Sequence, residues 1–240
     1  MTARVSYKKR HRMDTTHIAT LLEPYLCPSG DASMGSASHR ALAPSQLEQI
    51  SIYIDLLLRW NARINLTAIR KEEEIVTRHF GESLFMARHL FPKASHLSRQ
   101  WHHSVLDIGS GAGFPALPLK IWAPQIHLTM VESNHKKAAF LREVARALTL
   151  TDINVITDRA EALAADPAFP RTNVVTLRAV ESFKDILPQA IALLAPGGSL
   201  SLLIGADQAA TLDTLTTLRW QAPIPVPQSS RRVLSIGILP

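Results

Sequence analysis

The stretch Val105-Leu106-Asp107-Ile108-Gly109-Ser110-Gly111-Ala112-Gly113-Phe114-Pro115 narrows the folds open to this chain more than any other. An apolar run delivers the chain straight into three glycines, so the backbone can turn sharply and approach a ligand with no side chain in the way. A helix after the turn offers free N–H groups at its start. That is the opening unit of a βαβ fold, and the texture downstream agrees, because short apolar runs alternate with helical segments. Strands are expected at Val105–Gly109, His127–Glu132, Asn154–Thr157, Val174–Ala179, Ser199–Ile204 and Val233–Leu239. Between the second and third lies a helix with Phe140, Leu141, Val144 and Leu148 on one face and Lys136, Lys137, Arg142 and Arg146 elsewhere.

Upstream, Leu47, Ile50, Ile54, Leu57 and Leu58 recur at helical intervals, and Ser45 with Glu48 has capping-box spacing, which predicts a helix over about 45–60. Two asparagines, Asn61 and Asn65, favour a turn before a second helical stretch from Glu72 to about Leu90. Residues 1–43 read as a weakly ordered basic extension, since Gly30, Ser33, Gly35, Ser36 and Ser38 crowd together without an apolar period. The expected organisation is therefore that extension, a small helical part over 44–100, and a doubly wound α/β domain over 101–240.

A length of 240 residues suffices for a sizeable core, and 46% apolar with 19% charged residues excludes a disordered chain. The single cysteine, Cys27, allows no internal disulfide, which fits a reduced cytoplasm. The uncharged run Ile186–Ala206 is broken by Pro188, Pro196, Gly197 and Gly198, so helix, turn and strand are expected there and no membrane span. The basic start, Arg4 to Arg12, has no apolar stretch behind it, and no secretory signal is expected. A formal charge of +6 favours a polyanionic partner. A monomer is the default state.

Glycine spacing bears on the ligand. Dinucleotide loops read G-x-G-x-x-G over a pyrophosphate, whereas Gly109, Gly111 and Gly113 fall in G-x-G-x-G order behind the acidic Asp107. An acid there is unfavourable beside phosphates and favourable beside a sulfonium or amino group, so S-adenosylmethionine suits the loop better than NAD. Nineteen residues past Gly113, Glu132 ends the second strand where a carboxylate meets ribose hydroxyls in nucleoside-binding folds.

Beyond the loop, Trp60-Asn61 through Asn65-Leu66-Thr67-Ala68-Ile69, Arg78-His79-Phe80, Val131-Glu132-Ser133, the helix Lys136-Lys137-Ala138-Ala139-Phe140-Leu141-Arg142-Glu143, Arg159-Ala160-Glu161, Arg178-Ala179-Val180 and Leu194-Ala195-Pro196-Gly197-Gly198 together resemble one family. These segments are similar to the bacterial 16S rRNA guanine-N7 methyltransferases, also called glucose-inhibited division protein B. The resemblance implies a class I S-adenosylmethionine-dependent methyltransferase fold, S-adenosylmethionine as donor and a guanine in the 530 loop of 16S rRNA as acceptor, on naked rRNA or the small ribosomal subunit. It implies cofactor contacts at Gly109, Gly111, Phe114, Ala160, Glu161 and Arg178, with Glu132 on the ribose, and RNA contacts at Lys136, Lys137 and Arg142.

Guanine N7 carries a free lone pair, so its methylation needs no general base, and no catalytic acid–base pair is expected. Exocyclic amino methylation commonly uses an Asn/Asp-Pro-Pro-aromatic turn after the fourth strand, where this chain has Thr176-Leu177-Arg178-Ala179-Val180. Cytosine C5 methylation needs a thiol nucleophile, and Cys27 is far in sequence from the expected site. The ten histidines show no metal-ligand spacing, so no metal is expected; His79 and Trp60 read as packing residues. Methylation of a protein or small molecule, or an RNA-binding assembly role without catalysis, is compatible with the same loop.

Overall fold

In the computed structural model the described residues are 12–27, 42–92, 103–179, 183–212 and 215–240. Five parallel strands, β1 (Ser104–Ile108), β2 (His127–Val131), β3 (Ile153–Ile156), β4 (Thr172–Arg178) and β5 (Leu194–Gly205), form the centre of the sheet. The antiparallel β8 (Arg232–Ile238) closes it, and the two-residue strands β6 (Arg219–Trp220) and β7 (Ile224–Pro225) pair with β8. The order is β3-β2-β1-β4-β5-β8-β6. All six expected strands are present, and the sixth runs against its neighbour. The sheet reverses its winding between β1 and β4, and at such a switch point the carboxyl ends of the strands leave a crevice.

Each face of the sheet has its own core. Leu106, Ile108, Val175, Leu177, Leu200 and Leu202 meet α7 (Ala160–Ala165) and α8 (Phe183–Ala192) on one side. On the other, Val105, Leu128 and Met130 meet α5 (Ala116–Trp122) and α6 (His135–Ala147). The helical part shares this second core rather than keeping one of its own: Ile50, Tyr53, Ile54 and Leu57 of α2 (Pro44–Ile64) and Leu84 and Met86 of α4 (Glu82–Leu90) belong to the same cluster as Phe140 and Leu141 of α6. One continuous apolar contact therefore fixes α2 over the glycine loop.

Three local expectations are corrected. Within residues 1–43, Thr15–Leu26 forms a helix, α1, capped by Asp14, whose carboxylate accepts from the amides of Thr16 and His17. Ile18, Leu22, Tyr25 and Leu26 bury one face of it against the helical core, so burial overrides the polar texture of the neighbouring stretch. The remainder of that extension, 1–11 and 28–41, lies outside the described residues, as do 93–102 at the other domain boundary. Next, α2 starts at Pro44 rather than after a Ser45 cap: proline fits the first helical position, and the Gln46 side chain accepts from the Ala43 amide. Finally, Asn61 sits inside α2, and only Asn65, with φ +49°, ends the helix in the left-handed region.

Helix α3 (Glu72–Glu74) leads into a π-helical segment, Ile75–Gly81, which continues into α4. The wider turn of a π segment commonly marks a functional site, and this one carries Arg78 and His79 to the sheet's carboxyl edge.

Candidate active site

A cavity of about 470 Å³ opens where β1 and β4 diverge. Its floor is the glycine loop: Gly109, Ser110, Gly111, Ala112 and Phe114 all line it. Gly109, Gly111 and Gly113 take φ of +69°, +53° and +86°, a region that side chains rarely adopt. A Cβ on Gly111 would meet nothing nearer than the Gly109 carbonyl at 3.7 Å and would stand in open space, where a ligand could come close to the backbone. At Gly113 a Cβ would strike the Tyr53 hydroxyl and Leu117, the latter at 2.6 Å. The two glycines thus serve different ends, one approach of ligand and the other packing beneath the loop.

Glu132, just past β2, reaches under this loop. Its Oε2 accepts from the Gly111 amide at 2.8 Å and its Oε1 from the Asn134 amide at 2.8 Å. A carboxylate oxygen has room for a second hydrogen bond, so both remain able to accept from hydroxyls of a ligand in the cavity. Beneath the loop lies Asp107, 1% exposed, with Oδ1 accepting from Thr176 Oγ1 at 2.6 Å and Oδ2 buried without a partner. Burial raises its pKa to about 6.

Helix α2 holds the loop from behind. The Tyr53 hydroxyl donates to the Ala112 carbonyl, and its ring stacks on Phe114 at 5.3 Å with planes 2° apart. Phe114 also stacks with His79 at 4.7 Å. His79 Nε2 pairs with Thr67 Oγ1 at 2.8 Å, and Thr67 is tied by its amide and carbonyl to the Asn61 side chain. The Thr67 hydroxyl also accepts from the Ile69 amide at 3.1 Å, which fixes it against the His79 ring. Burial, with Arg178 and two further arginines nearby, pushes the His79 pKa down to about 3, and the ring is neutral at physiological pH.

The remaining wall is cationic. Arg178, from the end of β4, has a side chain only 7% exposed; its Nη2 donates to Glu82 Oε2 at 3.0 Å and to the Arg78 carbonyl at 2.6 Å. Arg232, from the start of β8, stands 3.6 Å from the same Glu82 oxygen. Arg78 and Lys137 complete this lining.

The structure thus brings Gly109, Gly111, Phe114, Glu132, Arg178 and Lys137 to one cavity. Ala160 and Glu161 open α7 at the neighbouring strand end, outside the cavity lining, with Ala160 buried and Glu161 exposed. Lys136 is exposed on α6. Arg142 is engaged elsewhere, its Nη2 donating to the Val155 carbonyl and to Thr157 Oγ1, which fastens α6 to β3. Glu82, Arg232 and Tyr53 escaped sequence reasoning, because their partners lie 96, 150 and 59 positions away respectively along the chain. Among the described residues no group of histidine, cysteine and carboxylate side chains could hold a metal, and no helix is long and apolar enough to cross a membrane.

Comparison with known proteins places this geometry. The family model described as rRNA small subunit methyltransferase G (GidB) matches residues 46–222. The ribosomal RNA small subunit methyltransferase G of Roseiflexus castenholzii is 46% identical over 154 residues, covering 64% of this chain, and the chain spans 62% of that relative's length. The protein of the same name from Bacillus subtilis is 31% identical over 207 residues, covering 82% of this chain and 84% of its own. Among solved structures, TrmN from Thermus thermophilus superposes with a TM-score of 0.51 at 21% identity, over 69% of this chain and 53% of that one. A ribosomal protein L11 methylase from Lactobacillus delbrueckii gives 0.51 at 14% identity, over 67% of this chain and 80% of that one. These structures share the class I Rossmann-like fold, and with the family match over most of its length, the chain belongs to the rRNA small subunit methyltransferase G family.

Proposed function

We infer that the protein transfers the methyl group of S-adenosylmethionine to N7 of a guanine in the 530 loop of 16S rRNA. The observation that carries this reading is the paired use of Glu132 and the glycine loop: a carboxylate fixed by two amides, with free acceptor capacity, beside a backbone left bare at Gly111. That combination suits a ribose diol and an adenosyl group lying against the loop. The residues therefore fit the cofactor, which when bound supplies an electrophilic methyl group on a sulfonium.

The chain's own contribution is alignment and charge. Gly109, Gly111 and Phe114 would hold the donor, and Glu132 would accept from its hydroxyls. In the transfer, the N7 lone pair forms the new N–C bond while the S–C bond breaks and its electron pair stays on sulfur. No proton leaves N7, so the step asks for no base. The imidazole that lines the cavity, His79, is half-buried, neutral and hydrogen-bonded to Thr67. At the end of β4, Arg178 is held by Glu82, and Ala179 lines the cavity at φ +49°. Neither Arg178 nor Ala179 carries a side-chain amide or carboxylate to orient an exocyclic amino group.

The test is incubation with methyl-labelled S-adenosylmethionine and unmethylated 16S rRNA, naked and in small subunits, followed by nucleoside digestion and mass spectrometry. Label in 7-methylguanosine is the expected result. Label in another nucleoside, or none in either RNA with cofactor binding intact, would redirect the reading to a different acceptor.

A further inference from the structure

Three arginines line one wall of the cavity, and two of them share a single carboxylate. Arg178 and Arg232 both lean on Glu82 Oε2, at 3.0 and 3.6 Å, and Arg78 contributes its carbonyl to Arg178 while its side chain stays exposed. Arg178 is spent in this arrangement. Arg232 is not: at 3.6 Å its approach to Glu82 is too long for a hydrogen bond, its guanidinium makes none among the described residues, and its side chain is 26% exposed. The side chain of Arg78 has no ion pair among the described residues. Burial lowers the Arg178 pKa to about 10, with Glu82 opposing the shift and Arg232 and Arg78 adding to it.

A sulfonium donor beside Glu132 would add positive charge to this cavity rather than offset it. The cofactor's one carboxylate is outweighed by its ammonium and sulfonium, so phosphates of the acceptor are a further source of negative charge for this wall. We propose that Arg232 and Arg78 form a phosphate subsite that seats the sugar–phosphate chain of the acceptor beside the target nucleotide. This rests on the reading above that the acceptor is an RNA. An arginine fork donates to two phosphate oxygens at once, and the Glu82 carboxylate holds Arg232 at the cavity mouth without consuming its donors. Lys137, on the α6 side of the cavity, extends the cationic lining towards Glu132.

The experiment measures binding of unmethylated 16S rRNA, without methyl transfer, at 50 and 200 mM KCl for the parent protein, Arg232→Gln, Arg78→Gln and Arg232→Lys. Each phosphate contact removed lowers the slope of log affinity against log salt by a little under one, so each glutamine variant loses about threefold less affinity over this range than the parent does. Arg232→Lys keeps the parent slope. Equilibrium dialysis of S-adenosylmethionine on the same proteins is expected to give an unchanged Kd. If Arg232 only braces Glu82, Arg232→Gln will weaken cofactor binding or unfold the protein with the salt slope intact, and a parent slope in Arg78→Gln, whose exposed side chain no fold depends on, would overturn the proposal as well. Absence of cofactor binding in the parent would count against the methyltransferase reading and leave the RNA result to stand by itself.

Discussion

The two halves of the cavity are built by opposite means. The floor, from Gly109 to Phe114 with Glu132, is backbone shaped by glycine torsions, by bonds from the Gly109 and Ser110 amides to the Val131 carbonyl and by two amides on the Glu132 carboxylate. The cationic wall is side chain held by side chain, with Glu82, Arg178 and Arg232 converging from a helix and two strands. The first depends on its glycines, on Glu132 and on Tyr53, and asks little of the other side chains around it. The second is less tolerant at its centre, since removing Glu82 leaves the buried Arg178 charge unmatched.

That contrast sets the largest expected effect. Glu82→Gln strips the one carboxylate from two arginines, one of them almost wholly buried, and should cost about 4 kcal/mol, as breaking a buried pair does. In a chain of this length that is a drop in melting temperature of about 10 °C, read by calorimetry. A loss of a degree or less would mean that the wall is held by packing and that its charges are incidental.

Beneath the floor and beside it, two buried titratable groups pull in opposite directions with pH. Asp107, its pKa raised to about 6 by burial, keeps its proton in the folded state while the unfolded chain loses it near 3.8. Its contribution to stability therefore declines as pH rises from about 4 to 6. His79, lowered to about 3 by burial and by Arg178, stays neutral when folded while the unfolded chain takes up a proton below 6.5. Its contribution declines instead as pH falls from 6.5 towards 3. Urea denaturation of Asp107→Asn should show the variant gaining on the parent by on the order of 3 kcal/mol between pH 4 and pH 7. His79→Gln should gain on the parent in the opposite direction, towards low pH. Parallel pH profiles for parent and variants would show that neither group is buried in its charged-disfavouring site in solution.

A smaller effect tests the tie between the helical part and the floor. Tyr53→Phe keeps the stack on Phe114 and loses only the hydrogen bond to the Ala112 carbonyl, worth about 1 kcal/mol. The expected result is a few-fold rise in the Kd for S-adenosylmethionine with little change in melting temperature. An unchanged Kd would detach α2 from the cofactor loop.

The same contrast explains what could be read in advance. The floor is contiguous: the strand, the glycines and the carboxylate at the next strand end follow one another over some thirty residues, so spacing alone carries their geometry. The strands were legible for a similar reason, each an apolar run bounded by turn formers. The wall was less so, because no local pattern links Glu82 to residues 96 and 150 positions away, nor the exposed Arg142 to the Val155 carbonyl that its Nη2 reaches. Helix α1 did leave a signal, Asp14 followed by Ile18, Leu22, Tyr25 and Leu26 at helical spacing, but the glycine- and serine-rich stretch after it set the reading of the whole segment. Asn61 misled for a chemical reason: the amide that makes asparagine a turn former here bonds both backbone groups of Thr67 from within a helix.

The central claim is that Glu132 and the bare loop at Gly111 form the seat of S-adenosylmethionine. Its most direct test is the equilibrium Kd of that cofactor for the parent protein and for Glu132→Ala, measured by titration calorimetry with the fold of each checked by circular dichroism. The account predicts measurable binding by the parent and a loss of about ten- to a hundredfold in the variant, the cost of hydrogen bonds to a charged acceptor and of two amides left unpaired. Equal affinity in the two proteins, both folded, would contradict it.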